Sequence, residues 1–268
     1  FFLCGHRGGP LMNKIKKQSG FSLVELMVAM LVGLVVTGAA LQLLITNNRT
    51  FALQQATSRV QENGQLVLRF LVRDLRRTGL DQNVAAGPEG VLFSATGGLP
   101  GSSDGSTDRL TISYHGTTDC EGGGTGVVVR VINSYYVSND GLFCDGNLSG
   151  GSGIELVSGV EGFKVKYGVD ESPDGAIGVT TFVGATNAAG YITQEQSEAG
   201  VPGAVGTVVA VRLALLLSEE SDSLPDGGAE QTFYLLGNKV TRSDTDSKAV
   251  RRMFTSTVLL RNVDWEIL

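Results

Sequence analysis

The chain has 268 residues, of which 42% are hydrophobic, and this is enough apolar material for a folded core, so a wholly disordered chain is excluded. Its 27 acidic residues outnumber its 21 basic residues, which argues against a surface that coats nucleic-acid phosphates. The 37 glycines indicate many turns and loops, and only two histidines, His6 and His115, are present for histidine-based chemistry.

The amino-terminal part combines a basic segment with a long apolar run. Residues 12–20 contain three lysines and no acid, and in residues 21–45 Glu25 is the only formal charge. As a helix, these 25 residues would be about 37 Å long, against a hydrocarbon core of about 30 Å. The run therefore predicts a membrane-spanning helix, with a buried core helix as the alternative. The lysines predict that the amino-terminal end stays in the cytoplasm.

The helical pattern continues beyond the apolar run. Apolar and small residues recur at spacings of three and four, which defines one helical stripe: Leu53, Ala56, Val60, Gly64, Val67, Leu71 and Leu75. The sequence predicts one helix from Phe21 to Thr78, with Gly79 as its carboxyl-terminal cap. The alternative is a membrane anchor followed by a separate coiled-coil linker, but the sustained heptads that a coiled coil needs are absent from the sequence.

From residue 80 onward the composition changes to short β-type runs between glycine-rich segments. Alternating patterns predict strands at 110–114 and, with an irregular step at Gly162, at 160–167. Apolar runs predict central strands at 127–137, 207–217 and 253–260. A further short strand is predicted at 231–236, between the last two of these runs. Glycine-rich surface loops are expected at 81–107, 139–153, 170–206 and 218–230. The fold class is therefore predicted as α+β, a long amino-terminal helix packed on an antiparallel sheet domain.

Residues 20–30, GFSLVELMVAM, resemble the class III signal of type IV prepilins and pseudopilins. The resemblance implies that a prepilin peptidase cuts after Gly20 and that the new amino terminus, Phe21, is methylated. It also implies that Glu25 neutralises the amino terminus of a neighbouring subunit and so aligns subunits during assembly. A carboxylate within an apolar helix costs about 2.5 to 3.5 kcal/mol, which is why a partner is expected. The alternative is a glutamate that only reaches the lipid headgroups.

The resemblance also suggests how the chain is divided. Met12 lies nine residues before the cut, so translation is expected to begin there, which leaves residues 1–11, with Cys4, upstream of the true start. Residues 1–20 are then the leader, 21–45 the transmembrane and assembly helix, and 46–79 the amphipathic half of the helix. Residues 80–268 form the β-rich globular domain.

The remaining cysteines, Cys120 and Cys144, both follow the membrane segment, and so are expected in a compartment that permits disulfides. We predict that they are bonded to each other, with two free thiols as the alternative. Zinc would require more ligands than these two cysteines and His115 supply.

Further segments resemble the PilW family of type IV minor pilins: residues 59–64, 73–76, 159–170, 209–217 and 251–262. This resemblance implies a minor pilin of the tip-initiating complex that supports motility, adhesion or DNA uptake. Its expected partners are the prepilin peptidase, other minor pilins, the major pilin and the inner-membrane assembly platform, with no nucleic acid bound directly. It would be a single-pass inner-membrane protein with a periplasmic domain, and later part of the surface pilus. The alternatives are a J-type pseudopilin of type II secretion and a membrane-anchored periplasmic binding or adhesion module.

An enzyme is not predicted, because the sequence has no Gly-x-Ser-x-Gly, His-Glu-x-x-His, Walker A or Gly-x-Gly-x-x-Gly motif. We predict no catalytic residues, no cofactor and no metal. The segment from Asp170 to Asp174 has too few oxygen ligands at calcium-loop spacing, and a turn is the better interpretation.

Overall fold

The structure is a computed structural model, and it describes residues 20–78, 107–151, 153–170, 178–179, 181–184, 207–221, 223–224, 230–242 and 248–261. The expected leader up to residue 19 and most of the loops at 81–107 and 170–206 lie outside these residues. The chain divides into two units, and the boundary between them lies at Arg49 and Thr50.

In the part of the chain that the structure describes, one helix precedes ten strands. The helix α1 runs from Leu23 to Leu75. The strands are β1 (Leu110–Thr118), β2 (Gly124–Ser138), β3 (Gly141–Gly146), β4 (Ile154–Ser158), β5 (Val160–Asp170), β6 (Thr181–Gly184), β7 (Thr207–Glu220), β8 (Gln231–Leu235), β9 (Asn238–Arg242) and β10 (Ala249–Leu259). They form three antiparallel sheets, in the orders β1-β2-β3-β4, β10-β7-β5-β6 and β8-β9. The α+β fold class is thereby confirmed.

From Thr50 onward, α1 packs its apolar stripe into the core of the second unit. Six of the seven predicted stripe residues are buried, but Leu53 is partly exposed. The core also contains inward-facing residues of both four-stranded sheets, such as Tyr135 of β2 and Phe163 of β5. The helix therefore owes its position to the burial of one face rather than to its intrinsic propensity.

Strand β7 is buried on both faces, which accounts for its continuous apolar sequence. One face, with Leu213 and Leu215, belongs to the main core. The other face, with Ala214 and Leu216, packs against Leu235 of β8 and Val240 of β9 in a second cluster, which fixes the two-stranded sheet on this face.

Four sequence predictions about the strands need correction. The predicted surface loop at 170–206 includes the strand β6, Thr181–Gly184, which pairs with β5. The predicted surface loop at 139–153 is wrong, because residues Gly141–Gly146 form β3 and both Leu142 and Cys144 are fully buried. The predicted loop at 218–230 begins too early, since β7 continues to Glu220. The run 253–260 is not a central strand, because β10 lies at the edge of its sheet. The irregular step at Gly162 is confirmed by a register shift between Val160 and Gly162.

Candidate processing and assembly site

The amino-terminal end of α1 leaves the expected cleavage bond open to approach. Gly20 and Phe21 precede the first helical residue, Leu23, and both are exposed, with 86% of Phe21 accessible. Among the described residues, and apart from its chain neighbours, no atom lies within 4 Å of the position that a Cβ of Gly20 would occupy. An exposed segment outside the helix is what a peptidase needs in order to bind the backbone beside a scissile bond.

Ser22 and Glu25 form a capping box that begins the helix. The Glu25 backbone N–H donates to the Ser22 hydroxyl oxygen at 3.1 Å, and the Ser22 N–H donates to Glu25 Oε2 at 3.4 Å. The two contacts satisfy backbone donors that have no partner within the helix, and the carboxylate lies at the positive end of the helix dipole. This cap explains why α1 begins two residues after the predicted Phe21.

The capping role of Glu25 could have been predicted from the sequence. A serine followed three residues later by glutamate, directly before an apolar run, is the sequence signature of this motif. The resemblance to prepilins predicts a neighbouring subunit as the partner of Glu25, with the headgroups as the alternative, whereas the structure adds Ser22 of the same chain. The side chain has a local partner in the isolated chain and is nevertheless exposed.

The apolar half of α1 presents its side chains outward. The large apolar residues from Leu23 to Ile45 are all exposed in this chain. The hydroxyl groups of Thr37 and Thr46 donate to the carbonyl oxygens four residues earlier, at 2.8 and 2.9 Å. The helix thus satisfies these hydroxyls by itself, and its length and composition are sufficient to cross a membrane.

The second unit contains the other pair of predicted site residues. Cys120 and Cys144 are joined by a disulfide, with their Cα atoms 6.3 Å apart. Cys144 lies on β3 and is fully buried in the main core, whereas Cys120 lies in the turn between β1 and β2. The bond therefore ties the β1–β2 turn to the sheet interior.

Asp119 organises the same region by accepting several backbone hydrogen bonds. Its carboxylate receives N–H groups from Gly123 at 2.8 Å, Leu148 at 2.9 Å and Ser149 at 2.8 Å. These donors come from both chain segments next to the disulfide. A buried carboxylate that is satisfied in this way fixes two turns relative to each other.

A buried polar cluster connects α1 to the first sheet, and sequence reasoning did not identify it. Asp74 Oδ2 accepts from Asn133 Nδ2 at 2.8 Å and from the Tyr135 hydroxyl at 2.5 Å. Asn133 Oδ1 in turn accepts from the backbone N–H of Cys120 at 3.1 Å. The amide of Asn133 therefore joins the helix to the disulfide-bonded turn. The only sequence signal was an acidic residue next to the apolar stripe.

The cluster changes the acidity of two tyrosines. Burial, together with the charge of Asp74 and its hydrogen bond, raises the pKa of Tyr135 well above its usual value of 10.0. Burial, and then the charge of Asp74, also raises the pKa of Tyr114, against an opposing effect of Arg77. Arg77 lies over the Tyr114 ring, with its guanidinium carbon 4.1 Å from the ring centre.

Within the described residues, no group of three or more His, Cys, Asp and Glu side chains could hold a metal ion. Asp170 accepts a hydrogen bond from the backbone N–H of Gly178 at 2.8 Å. The rest of the segment that was considered as a turn or an ion loop, residues 171–175, lies outside the described residues.

Comparisons with known proteins bear on both units. Residues 132–262 match the family described as Type IV Pilus-assembly protein W, and residues 15–41 match the Prokaryotic N-terminal methylation motif. Among solved structures, the type IV-like pilin TTHA1219 from Thermus thermophilus is similar at 17% identity and a TM-score of 0.44, covering 76% of this chain and 97% of that chain. No curated protein matches the chain.

Proposed function

We propose that this chain is a minor pilin of the family described as type IV pilus-assembly protein W, and that it acts in the complex that initiates the pilus at its tip. The observation that carries the proposal is the exposed apolar helix, which begins at a Ser22–Glu25 capping box directly after an accessible Gly20–Phe21 bond. Within one chain such a segment has no core to enter, but it can serve first as an anchor and then as the part that packs among other subunits.

The first step of the proposed function is processing by a prepilin peptidase. Water is added across the Gly20–Phe21 peptide bond, which gives a leader that ends in the Gly20 carboxylate and a mature chain that begins with the Phe21 amine. The amine then takes a methyl group from a sulfonium methyl donor, which leaves as a thioether, and a proton is released. The lysines at positions 14, 16 and 17 hold the bond at the cytoplasmic face, where the peptidase would act.

Membrane insertion follows the same charge pattern. The lysine-bearing leader, residues 1–20, remains in the cytoplasm and residues 21–45 cross the inner membrane. Residues 46–79, the second half of the helix, and residues 80–268 then lie in the periplasm. This compartment favours the disulfide between Cys120 and Cys144.

Glu25 would have two tasks in succession. Before assembly, its carboxylate caps its own helix through the Ser22 N–H. During assembly it would pair with the positively charged Phe21 amine of a neighbouring subunit, since a carboxylate moved away from water is stabilised by an opposite charge. The exposure of Glu25 leaves its second carboxylate oxygen accessible for this contact.

Two substitutions separate these tasks. Glu25→Gln keeps an oxygen that can accept from the Ser22 N–H but removes the charge. Ser22→Ala removes the hydroxyl cap and keeps the charge. We expect Glu25→Gln to reduce incorporation into sheared pili at least about tenfold, equivalent to about 1.4 kcal/mol, at an unchanged membrane level. Ser22→Ala should be incorporated nearly as well as the wild type. The opposite ranking would show that capping is the principal role of Glu25.

A deletion strain distinguishes the pilus role from a role in secretion. Loss of twitching motility with normal release of exoproteins is expected for a pilus subunit. Loss of exoprotein release with normal motility would instead identify a secretion pseudopilin. Normal behaviour in both assays would favour a membrane-anchored binding or adhesion module.

A further inference from the structure

The second half of α1 has an exposed stripe on the side away from its buried one. Glu62, Leu66, Arg69 and Arg73 recur at spacings of four, three and four, which places them along one side of the helix. All four are exposed, and Leu66 is 60% accessible. We call these four residues the outer stripe.

The arginines of the outer stripe are held by neighbours on their own helix. Arg69 donates to Gln65 Oε1 at 3.2 Å. The guanidinium carbon of Arg73 lies 5.1 Å from the centre of the Phe70 ring. These contacts orient both cations outward beside Leu66, while Arg59 and Arg77 are engaged in ion pairs with Glu219 and Asp74.

Charge is distributed unevenly along the chain. Residues 46–78 contain six arginines and two acidic residues, whereas residues 79–268 contain 11 basic and 24 acidic residues. A basic helix is thus joined to an acidic globular domain. Where two subunits with this arrangement are neighbours, the helix of one attracts the globular domain of the other.

We propose that the outer stripe is a docking surface for an acidic surface on the globular domain of a neighbouring pilin subunit, with Leu66 as its apolar anchor and Arg69 and Arg73 as its ionic contacts. The proposal rests on the assembly role inferred above. Arginine is enriched at protein interfaces and among the residues that carry most of their binding energy, and burial of the exposed Leu66 side chain would add apolar area removed from water.

Two other anionic surfaces fit the stripe less well. Arg69 follows Ile45 by 24 residues, about 36 Å of helix, which places it beyond the lipid headgroups if residues 21–45 span the membrane. A nucleic acid would gain from an uninterrupted row of cations, but Glu62 lies at one end of the stripe and Leu66 beside the cations. An acidic protein surface with an apolar site can lie at this distance from the membrane and can contact both the arginines and Leu66.

The test places a photo-reactive benzoyl-phenylalanine at position 66 of the full chain in piliated cells. The same probe at Tyr234, which is 62% exposed on β8, is the matched control. We expect the position-66 probe to cross-link another prepilin-type subunit, at peptides rich in Asp and Glu. Arg69→Glu with Arg73→Glu should reduce the yield at least about tenfold, since like charges oppose contact, whereas Arg69→Lys with Arg73→Lys should retain most of it.

The proposal is overturned if position 66 cross-links to lipid or DNA, to non-acidic peptides, or no more than position 234 does. It is also overturned if the glutamate variants cross-link as well as the wild type. Failure of the assembly role itself is recognised separately, because the unsubstituted chain would then be absent from sheared pili. A chain present in pili whose cross-links do not depend on Arg69 and Arg73 refutes the docking surface alone.

Discussion

Gly64 of α1 lies against the ring of Phe254, a residue of β10. A Cβ added at this residue would overlap the ring of Phe254, which packs against the main core. Gly64 was recognised in the sequence only as a small member of the helical stripe. Glycine normally weakens a helix interior by about 1 kcal/mol relative to alanine, so its presence here is explained by the space that the ring requires.

Gly64→Ala should therefore destabilise the protein in spite of the better helix propensity of alanine. We expect the free energy of unfolding to fall by about 1 to 3 kcal/mol, the usual cost of overpacking, measured by urea denaturation of the full chain in detergent. Gly64→Ala combined with Phe254→Leu should recover part of this loss, because the smaller side chain makes room for the methyl group. If Gly64→Ala is neutral or stabilising, the space taken by the Phe254 ring is not the reason for a glycine at this position.

The buried tyrosines predict that stability decreases at alkaline pH. The pKa of Tyr135 is raised well above 10.0, mainly by burial and then by Asp74, and the pKa of Tyr167 is raised by burial and then by Asp108. Unfolded tyrosines ionise near pH 10, so above this pH the unfolded chain binds fewer protons than the folded chain. The contribution to stability is fully present below about pH 10 and is lost as the pH rises through the folded pKa.

We expect the free energy of unfolding to fall above pH 10, by up to about 1.4 kcal/mol per pH unit for each such tyrosine. Tyr135→Phe should make this slope shallower, because phenylalanine has no proton to lose. Tyr234→Phe, at an exposed position, is the control. Urea denaturation at several pH values measures the slopes, and equal slopes for the two variants would contradict the assignment.

At the scale of elements, the disulfide holds β3 and the β1–β2 turn together. Cys120 and Cys144 are separated by 24 positions, and the loop that they close contains several glycines. Closing such a loop stabilises a protein by about 3.5 kcal/mol in the chain-entropy model. The bond also keeps Cys120 beside Asn133, and therefore supports the contact between Asn133 and Asp74 of the helix.

Cys120→Ala with Cys144→Ala should lower the free energy of unfolding by about 3 to 4 kcal/mol. Because Cys144 is fully buried, part of this loss would come from the removed sulfur. The wild-type protein in its reduced form keeps both sulfur atoms and is the appropriate control for the effect of the bond itself. If the reduced and oxidised forms unfold at the same urea concentration, the bond does not have this stabilising role.

The hairpin turns explain why some strands escaped prediction. Asn139 and Asp140 both have positive φ, 47° and 55°, and form a two-residue turn between β2 and β3. Asn and Asp before a glycine are signals for such a turn, but the neighbouring glycines led us to assign a surface loop. In the β8–β9 hairpin, Leu236 adopts a φ of 50° before Gly237, and leucine gives no turn signal in a sequence.

Long periodic segments were predicted correctly because the spacing of their apolar residues matches one type of secondary structure. The α1 stripe and the alternation in β5 follow directly from the spacing of apolar residues. The position of a strand within its sheet depends on partners distant in sequence, and for this reason β10 was assigned to the wrong place. The Asp74 cluster was missed for the same reason, since Asn133 and Tyr135 lie about 60 residues away from it in sequence.

At the scale of the whole molecule, the chain has two units that differ in how their apolar side chains are buried. The large apolar side chains from Leu23 to Ile45 are exposed, and the unit Thr50–Leu268 has its own core. A soluble monomer would not keep so large an exposed apolar surface. In the function proposed above, this surface serves as a membrane anchor before assembly and as a packing element among subunits afterward.

In the proposed function, cleavage between Gly20 and Phe21 comes before methylation and assembly. Amino-terminal sequencing with intact-mass analysis of the protein isolated from pili tests this cleavage most directly. We expect a mature chain that begins at Phe21 and carries a methylated amino terminus. A protein that still carries the lysines at positions 14, 16 and 17, or that begins at another residue without methylation, would contradict this expectation.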